Sequence, residues 1–143
     1  MSQCLLTILT VGLACSACSA DRDLPASYRR VEVPEARLKS VGALRDGERL
    51  YLANCALCHG VGRDGQGVRR SGFSRPPRNF ADDAWVRSTS PRRIFFTIRE
   101  GVRGTAMPAW PDFTPEQTWD LVAYVRSTAT GNDQLADEND LQR

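Results

Sequence analysis

The 143-residue chain holds one histidine, His59, and one methionine besides the initiator, Met107. Metal chemistry that needs an imidazole or a thioether therefore has a single candidate of each kind. Lysine is nearly missing too: of the 19 lysines and arginines only Lys39 is a lysine. A net charge of +2 is too small to argue for a nucleic-acid partner, which would ask for a strongly basic surface. The apolar run "LLTILTVGLAC", residues 5–15, is eleven long, short of the roughly 20 residues that a membrane-crossing helix needs. What remains, with 41% hydrophobic and 25% charged residues, has the composition of one globular domain with appendages.

That run has the length of a secretory core, although no basic residue precedes it. Small residues in "CSACSA" and the charged "DRD" follow. Residues 1–20 are therefore expected to be a signal peptide or lipoprotein leader, with export to the periplasm or the periplasmic face of a membrane. Cys15 and Cys18 each follow alanine and precede serine, which resembles a bacterial lipid-attachment site. Membrane association through a lipid on one of them, and simple cleavage, both stay open. Residues 21–40 carry two prolines and alternating charge and are expected to be an extended linker. The last thirteen residues, "GNDQLADENDLQR", are expected to be an acidic flexible tail.

Between these ends, residues 41–130 show helical patterning and no convincing strand, so the fold class is all-α. Ser40 can cap a first helix with Leu44, Gly47, Leu50 and Tyr51 on one face, running toward Cys55. Ser90-Pro91 opens another, in which Ile94, Phe95 and Ile98 are apolar and Gly101 is the stop. Thr114 to Gln117 forms a capping box ahead of Leu121, Val122, Tyr124 and Val125, with an end near Gly131. A short turn is expected around Asp82 to Arg87. Some ninety residues make a thin core, which a large apolar cofactor would reinforce.

The stretch "NCALCHGVGRDGQG" offers two chemistries. "GVGRDG" fits the glycine pattern of a dinucleotide loop, but that needs a strand before it and a helix opening at the last glycine. Here the preceding residues are helical, and arginines and prolines follow. "CALCH" is far more specific. Cys55 and Cys58 lie three apart, so a helical turn sends both sulfurs to one side. There they can add to the two vinyl groups of a haem, and adjacent His59 can ligate the iron; this is the attachment signature of c-type haem. A thioredoxin-like pair would need a βαβ setting, and a zinc site a fourth donor. A disulfide, or cysteines that merely fill a core, are the remaining readings.

Met107, in "GTAMPAW", sits on a loop 48 residues beyond His59 and is expected to be the opposite axial ligand. Core filling is the ordinary role of a lone methionine, but outside the leader no other thioether or imidazole could close that face. His/Met coordination raises the reduction potential relative to two imidazoles and leaves no vacancy for substrate. One haem c carrying single electrons, without enzyme activity, is the expected function. A peroxidase-like subunit or a gas or redox sensor, with Met107 displaceable, is the alternative.

With "NCALCHG", the glycine loop, "PPRNF", "IREGVRGTAMPAW" and "LVAYV" in place, the chain resembles the class I c-type cytochromes. The resemblance implies the cytochrome c fold, three to five helices wrapped around one covalently attached haem. It also implies a close crossing of first and last helices at Gly47 and Tyr124, and a proline carbonyl, Pro76, holding the second ring nitrogen of His59. Within the family the arrangement is similar to small haem c subunits of bacterial respiratory complexes, including cbb3-type oxidases and alternative complex III, so a respiratory oxidase or reductase is the implied partner. Ten arginines against four acidic residues lie between His59 and Arg103. Of these, Arg78, Arg99 and Arg103 are candidates to pair with haem propionates or to sit in a basic rim that steers an acidic partner.

Overall fold

The computed structural model describes residues 21–127. The expected leader, its Cys15 and Cys18, the acidic tail and the helix end near Gly131 lie outside the described residues. Among the described residues there are seven helices and no strand: α1 (Ala26–Arg29), α2 (Glu35–Leu38), α3 (Val41–Asn54), α4 (Ala56–His59), α5 (Asp83–Ser88), α6 (Pro91–Glu100) and α7 (Pro115–Ser127). Five of them, α3 to α7, fall within the expected domain.

The helix starts follow from side-chain chemistry that supplies the unpaired N–H groups of a first turn. The Ser40 hydroxyl accepts from the Ala43 amide at 3.2 Å and starts α3. Ser90 accepts from Arg93 at 3.0 Å and starts α6, with Pro91 as its first helical residue. Asp82 accepts from the amides of Ala84 and Trp85, so the expected turn is a short helix, α5. At α7 the capping box closes both ways: Thr114 N donates to Gln117 Oε1 at 2.9 Å, and Gln117 N donates to Thr114 Oγ1 at 3.2 Å.

Helices α3 and α7 pack most extensively against each other. Their crossing depends on a residue without a side chain. A Cβ on Gly47 would lie 2.0 Å from the Asp120 carbonyl oxygen and 2.9 Å from Tyr124 Cβ. The backbones can approach this closely only with glycine there. Tyr51, Leu44, Leu121, Val122 and Thr118 are the largest fully buried side chains around the crossing. On the far side Phe95 of α6 meets Trp119 of α7, ring centres 4.4 Å apart.

Every residue of α7 from Thr118 to Val125 is buried. A helix covered all round needs more than two neighbours, and the third cover is the segment expected to be an extended linker. Residues 21–40 are instead a folded arm laid across α6 and α7. Leu24 is buried, and Tyr28 sets its ring edge-on against Phe96 at 4.9 Å. Arg92 Nε donates to the Val31 carbonyl at 2.7 Å, while Asp21 takes the Ser90 hydroxyl and Asp23 pairs with Arg93. The Arg37 guanidinium grips the buried Asp120 carboxylate with two bonds of 2.7 and 2.8 Å. A carboxylate in that position is tolerable only with such a partner. The physical reason for the difference is that the charges of this segment, which read as solvated, have buried or opposing partners on α6 and α7.

Candidate functional site

Helix α3 ends at Asn54, and the chain turns directly into the single-turn α4. Within it Cys58 N and His59 N both donate to the Cys55 carbonyl, at 3.1 and 2.9 Å. The two cysteines thus share one helical turn, and both are free thiols rather than a disulfide. Burial, with the neighbouring Cys58 second, pushes the Cys55 thiol up to about 11. It is uncharged at neutral pH.

His59 is buried, and its Nδ1 lies 3.1 Å from the Arg78 carbonyl oxygen. A carbonyl only accepts, so Nδ1 carries the proton and Nε2 keeps its lone pair. Burial lowers the histidine pKa, partly opposed by that same carbonyl, so the neutral, ligating form prevails at neutral pH. Phe80 stacks on the ring, centres 4.6 Å apart and planes 17° from parallel. The glycine loop folds back on α4: Gly65 N donates to His59 O, Gly67 N to Cys58 O, and Arg69 N to Leu57 O, at 2.8, 3.2 and 2.8 Å.

Met107 comes from the other half of the chain. Its carbonyl accepts from Val102 N at 3.2 Å, its amide donates to Thr105 Oγ1 at 3.2 Å, and Trp110 N ties the loop to Ile98 O at 3.0 Å. Gly101 lets this loop close tightly. Its φ is +69°, and a Cβ there would meet Pro108 and Ala109 backbone at 2.7 Å. The loop and α4 face each other across one cavity of about 430 Å³. Cys55, Cys58, His59 and Met107 all line it, with Ile94, Ile98, Leu121 and Val125 among its apolar walls. That volume lies within the roughly 300–1,000 Å³ of cofactor pockets. Two thiols, one imidazole and one thioether in a mainly apolar slot fit a haem c. Among the described residues no group of three or more His, Cys, Asp or Glu could hold a metal ion. The dinucleotide reading fails, since the single turn of α4, not a strand, precedes the glycines.

Three expected site residues are placed differently. The His59 ring is held by the Arg78 carbonyl rather than by Pro76, because the loop that follows Gly65 brings residue 78 alongside the imidazole; Pro76 lines the cavity instead. Arg99 is not at the cavity: it donates to the Phe113 carbonyl, behind the wall. Arg103 lines a separate polar groove with Asp23, Tyr28 and Glu100. Arg75 and Arg93, not singled out from sequence, line the cavity together with Arg78. Arg93 was legible by periodicity, being one turn before Thr97 on the face that also carries Ile94 and Ile98.

A helical fold closed on itself at Gly47, around a cavity that gathers the CALCH turn and the methionine loop, defines the class: a c-type cytochrome domain, a haem protein. Residues 42–125 match the family model described as cytochrome c oxidase, cbb3-type, subunit III, and the chain belongs to that family. Its relatives include the cbb3-type cytochrome c oxidase subunit FixP of Sinorhizobium medicae, 37% identical over 59% of this chain and 30% of that protein. Cytochrome c-L of Methylorubrum extorquens is 29% identical over 80% of this chain and 55% of that one. The match thus spans about a third to a half of the relatives' own length. Among solved structures, the reducing HAO-like protein complex of Kuenenia stuttgartiensis shares the fold, with a TM-score of 0.56 over 68% of this chain and 45% of that one, at 24% identity.

Proposed function

We propose that this chain is a monohaem electron-transfer domain, with thioethers at Cys55 and Cys58 and axial ligands from His59 and Met107. The observation that carries the reading is the convergence of all four side chains on one mainly apolar cavity from segments about 50 residues apart. One histidine in the chain allows one haem of this type. The bound haem would accept and release one electron at its iron. The protein's part is to hold the imidazole in one tautomer through Arg78 O, to keep water out with Phe80 and Ile98, and to hold Met107 still. The hydrogen bonds that fix the methionine loop at both ends favour a carrier over a peroxidase-like subunit or a sensor. The test is direct. The mature protein should resist thiol alkylation at both cysteines, carry the mass of one haem, and show a ferrous spectrum unchanged by carbon monoxide. Colourless material with two reactive thiols, from a host that matures such proteins, overturns the reading.

Similarity to cbb3-type oxidase subunits supports a respiratory oxidase complex as partner and a position on the periplasmic side of a membrane. Among the described residues no helix is long and apolar enough to cross a membrane, so a lipid on Cys15 or Cys18 would be one means of attachment. Docking is served by the surface beside the cysteines. Leu57 and Val68 are exposed there, held together by the Arg69–Leu57 backbone bond. Arg69 and Arg70 follow Val68 directly and Arg75 and Arg78 come shortly after, all four exposed, and no acidic residue occurs from 65 to 81. An apolar centre with a basic rim suits an acidic partner. Electron transfer to an acidic redox protein should therefore slow as ionic strength rises, since about 0.1 M salt screens charges beyond roughly 10 Å. A rate indifferent to salt would refute this.

A further inference from the structure

Arg63 is the only described residue other than glycine with a positive φ, +61°. This left-handed conformation is unfavourable for a side-chain-bearing residue and free for glycine. Yet Arg63 stands between Gly62 and Gly65, in a loop where glycine is the common solution. The strain is offset by what its two ends reach. The guanidinium lies over the Tyr124 ring, 4.1 Å from its centre, and donates to the Tyr124 carbonyl at 2.6 Å and to Ser127 Oγ at 2.8 Å. Both lie in the last described turn of α7, where the guanidinium adds to the bond that Ser127 Oγ gives the Tyr124 carbonyl at 2.8 Å. At the other end, the Arg63 carbonyl accepts from Phe80 N at 2.7 Å. Phe80 is the ring stacked on His59, and Arg78, two residues earlier, holds the His59 Nδ1 proton.

We propose that Arg63 is a positioning residue for the histidine ligand: it bolts the segment that clamps His59 to Tyr124 and Ser127 of α7, and so to the crossing at Gly47. The inference rests on the haem reading of the site. Without the bolt, residues 78–80 and the loop stay joined to each other but lose their tie to the helix. The clamp on the imidazole then opens more often, and a weaker Nδ1–H bond changes the ligand's basicity.

Arg63→Gly isolates the side chain, because glycine accepts the same φ without strain and the bond to Phe80 N survives. In the haem-loaded protein, exchange of the His59 Nδ1 proton, followed by NMR in the ferrous state, should quicken about tenfold or more, the worth of a lost charged hydrogen bond. The midpoint potential should move with it. Arg63→Lys keeps a cation beside the Tyr124 ring and carbonyl and should return both readings toward wild type. If Arg63→Gly lowers only the melting temperature, with wild-type proton exchange and potential, Arg63 merely ties its loop to α7 and the proposal is overturned. If the wild-type His59 resonances show no haem influence at all, the haem reading falls and takes this inference with it.

Discussion

Replacing Met107 by alanine is expected to give a ferrous protein that binds carbon monoxide and has a much lower reduction potential. Apart from His59 itself and the initiator Met1, the chain has no thioether or imidazole that could take the place of Met107. The loop around it is held by backbone bonds that do not involve the sulfur: Val102 N to Met107 O, and Trp110 N to Ile98 O. Truncation should thus leave the loop in place and remove only the donor. Axial ligands govern haem potentials over a span of roughly 0.8 V, so loss of the thioether should move the potential by a sizeable share of it. Met107→His should also lower the potential, while keeping carbon monoxide out, because a second imidazole favours the ferric state. Spectra and redox titration of the two variants check this. If Met107→Ala kept the wild-type spectrum and potential and merely melted earlier, the methionine would be packing and nothing more.

The second large effect belongs to Gly47. Alanine is ordinarily the better helix former, by about 1 kcal/mol, so Gly47→Ala in the middle of α3 would stabilise an isolated helix. Here the added methyl would sit 2.0 Å from the Asp120 carbonyl oxygen, a backbone atom that cannot swing aside. Helices α3 and α7 must separate, which disturbs Tyr51, Leu121 and Val122 and the Arg37 grip on Asp120 together. The expected loss is about 3 kcal/mol or more, at the upper end of overpacking costs, and a large part of the 5–15 kcal/mol typical of a whole domain. Chemical denaturation of the haem-loaded protein measures it. A variant as stable as wild type would mean that the crossing can open at little cost.

Much of this arrangement was readable in residue order, for local reasons. Caps at Ser40, Ser90 and Thr114 act within four residues, and all three start helices as expected. The cysteines and His59 are adjacent in sequence, and scarcity alone singled out Met107. What residue order hid was tertiary. Which of two nearby carbonyls reaches the imidazole depends on how a loop of nearly twenty residues folds, so Arg78 took the place assigned to Pro76. Arginines look alike in a sequence, and only α6 and its neighbours separate Arg93 from Arg99. The arm was hidden because its charges imitate a solvated segment. One signal was available: "WDLVAYV" is apolar on every side of a helix except for a single carboxylate, and such a helix needs a cover and a cation.

That arm also bears on reach. Twenty residues of extended chain would span roughly 70 Å, enough to let a domain swing between donor and acceptor. Wound against α6 and α7, the same twenty residues supply almost no slack. A hold applied at Asp21 itself would keep the domain close and in one orientation, presenting the same edge to each collision instead of searching a wide arc for it.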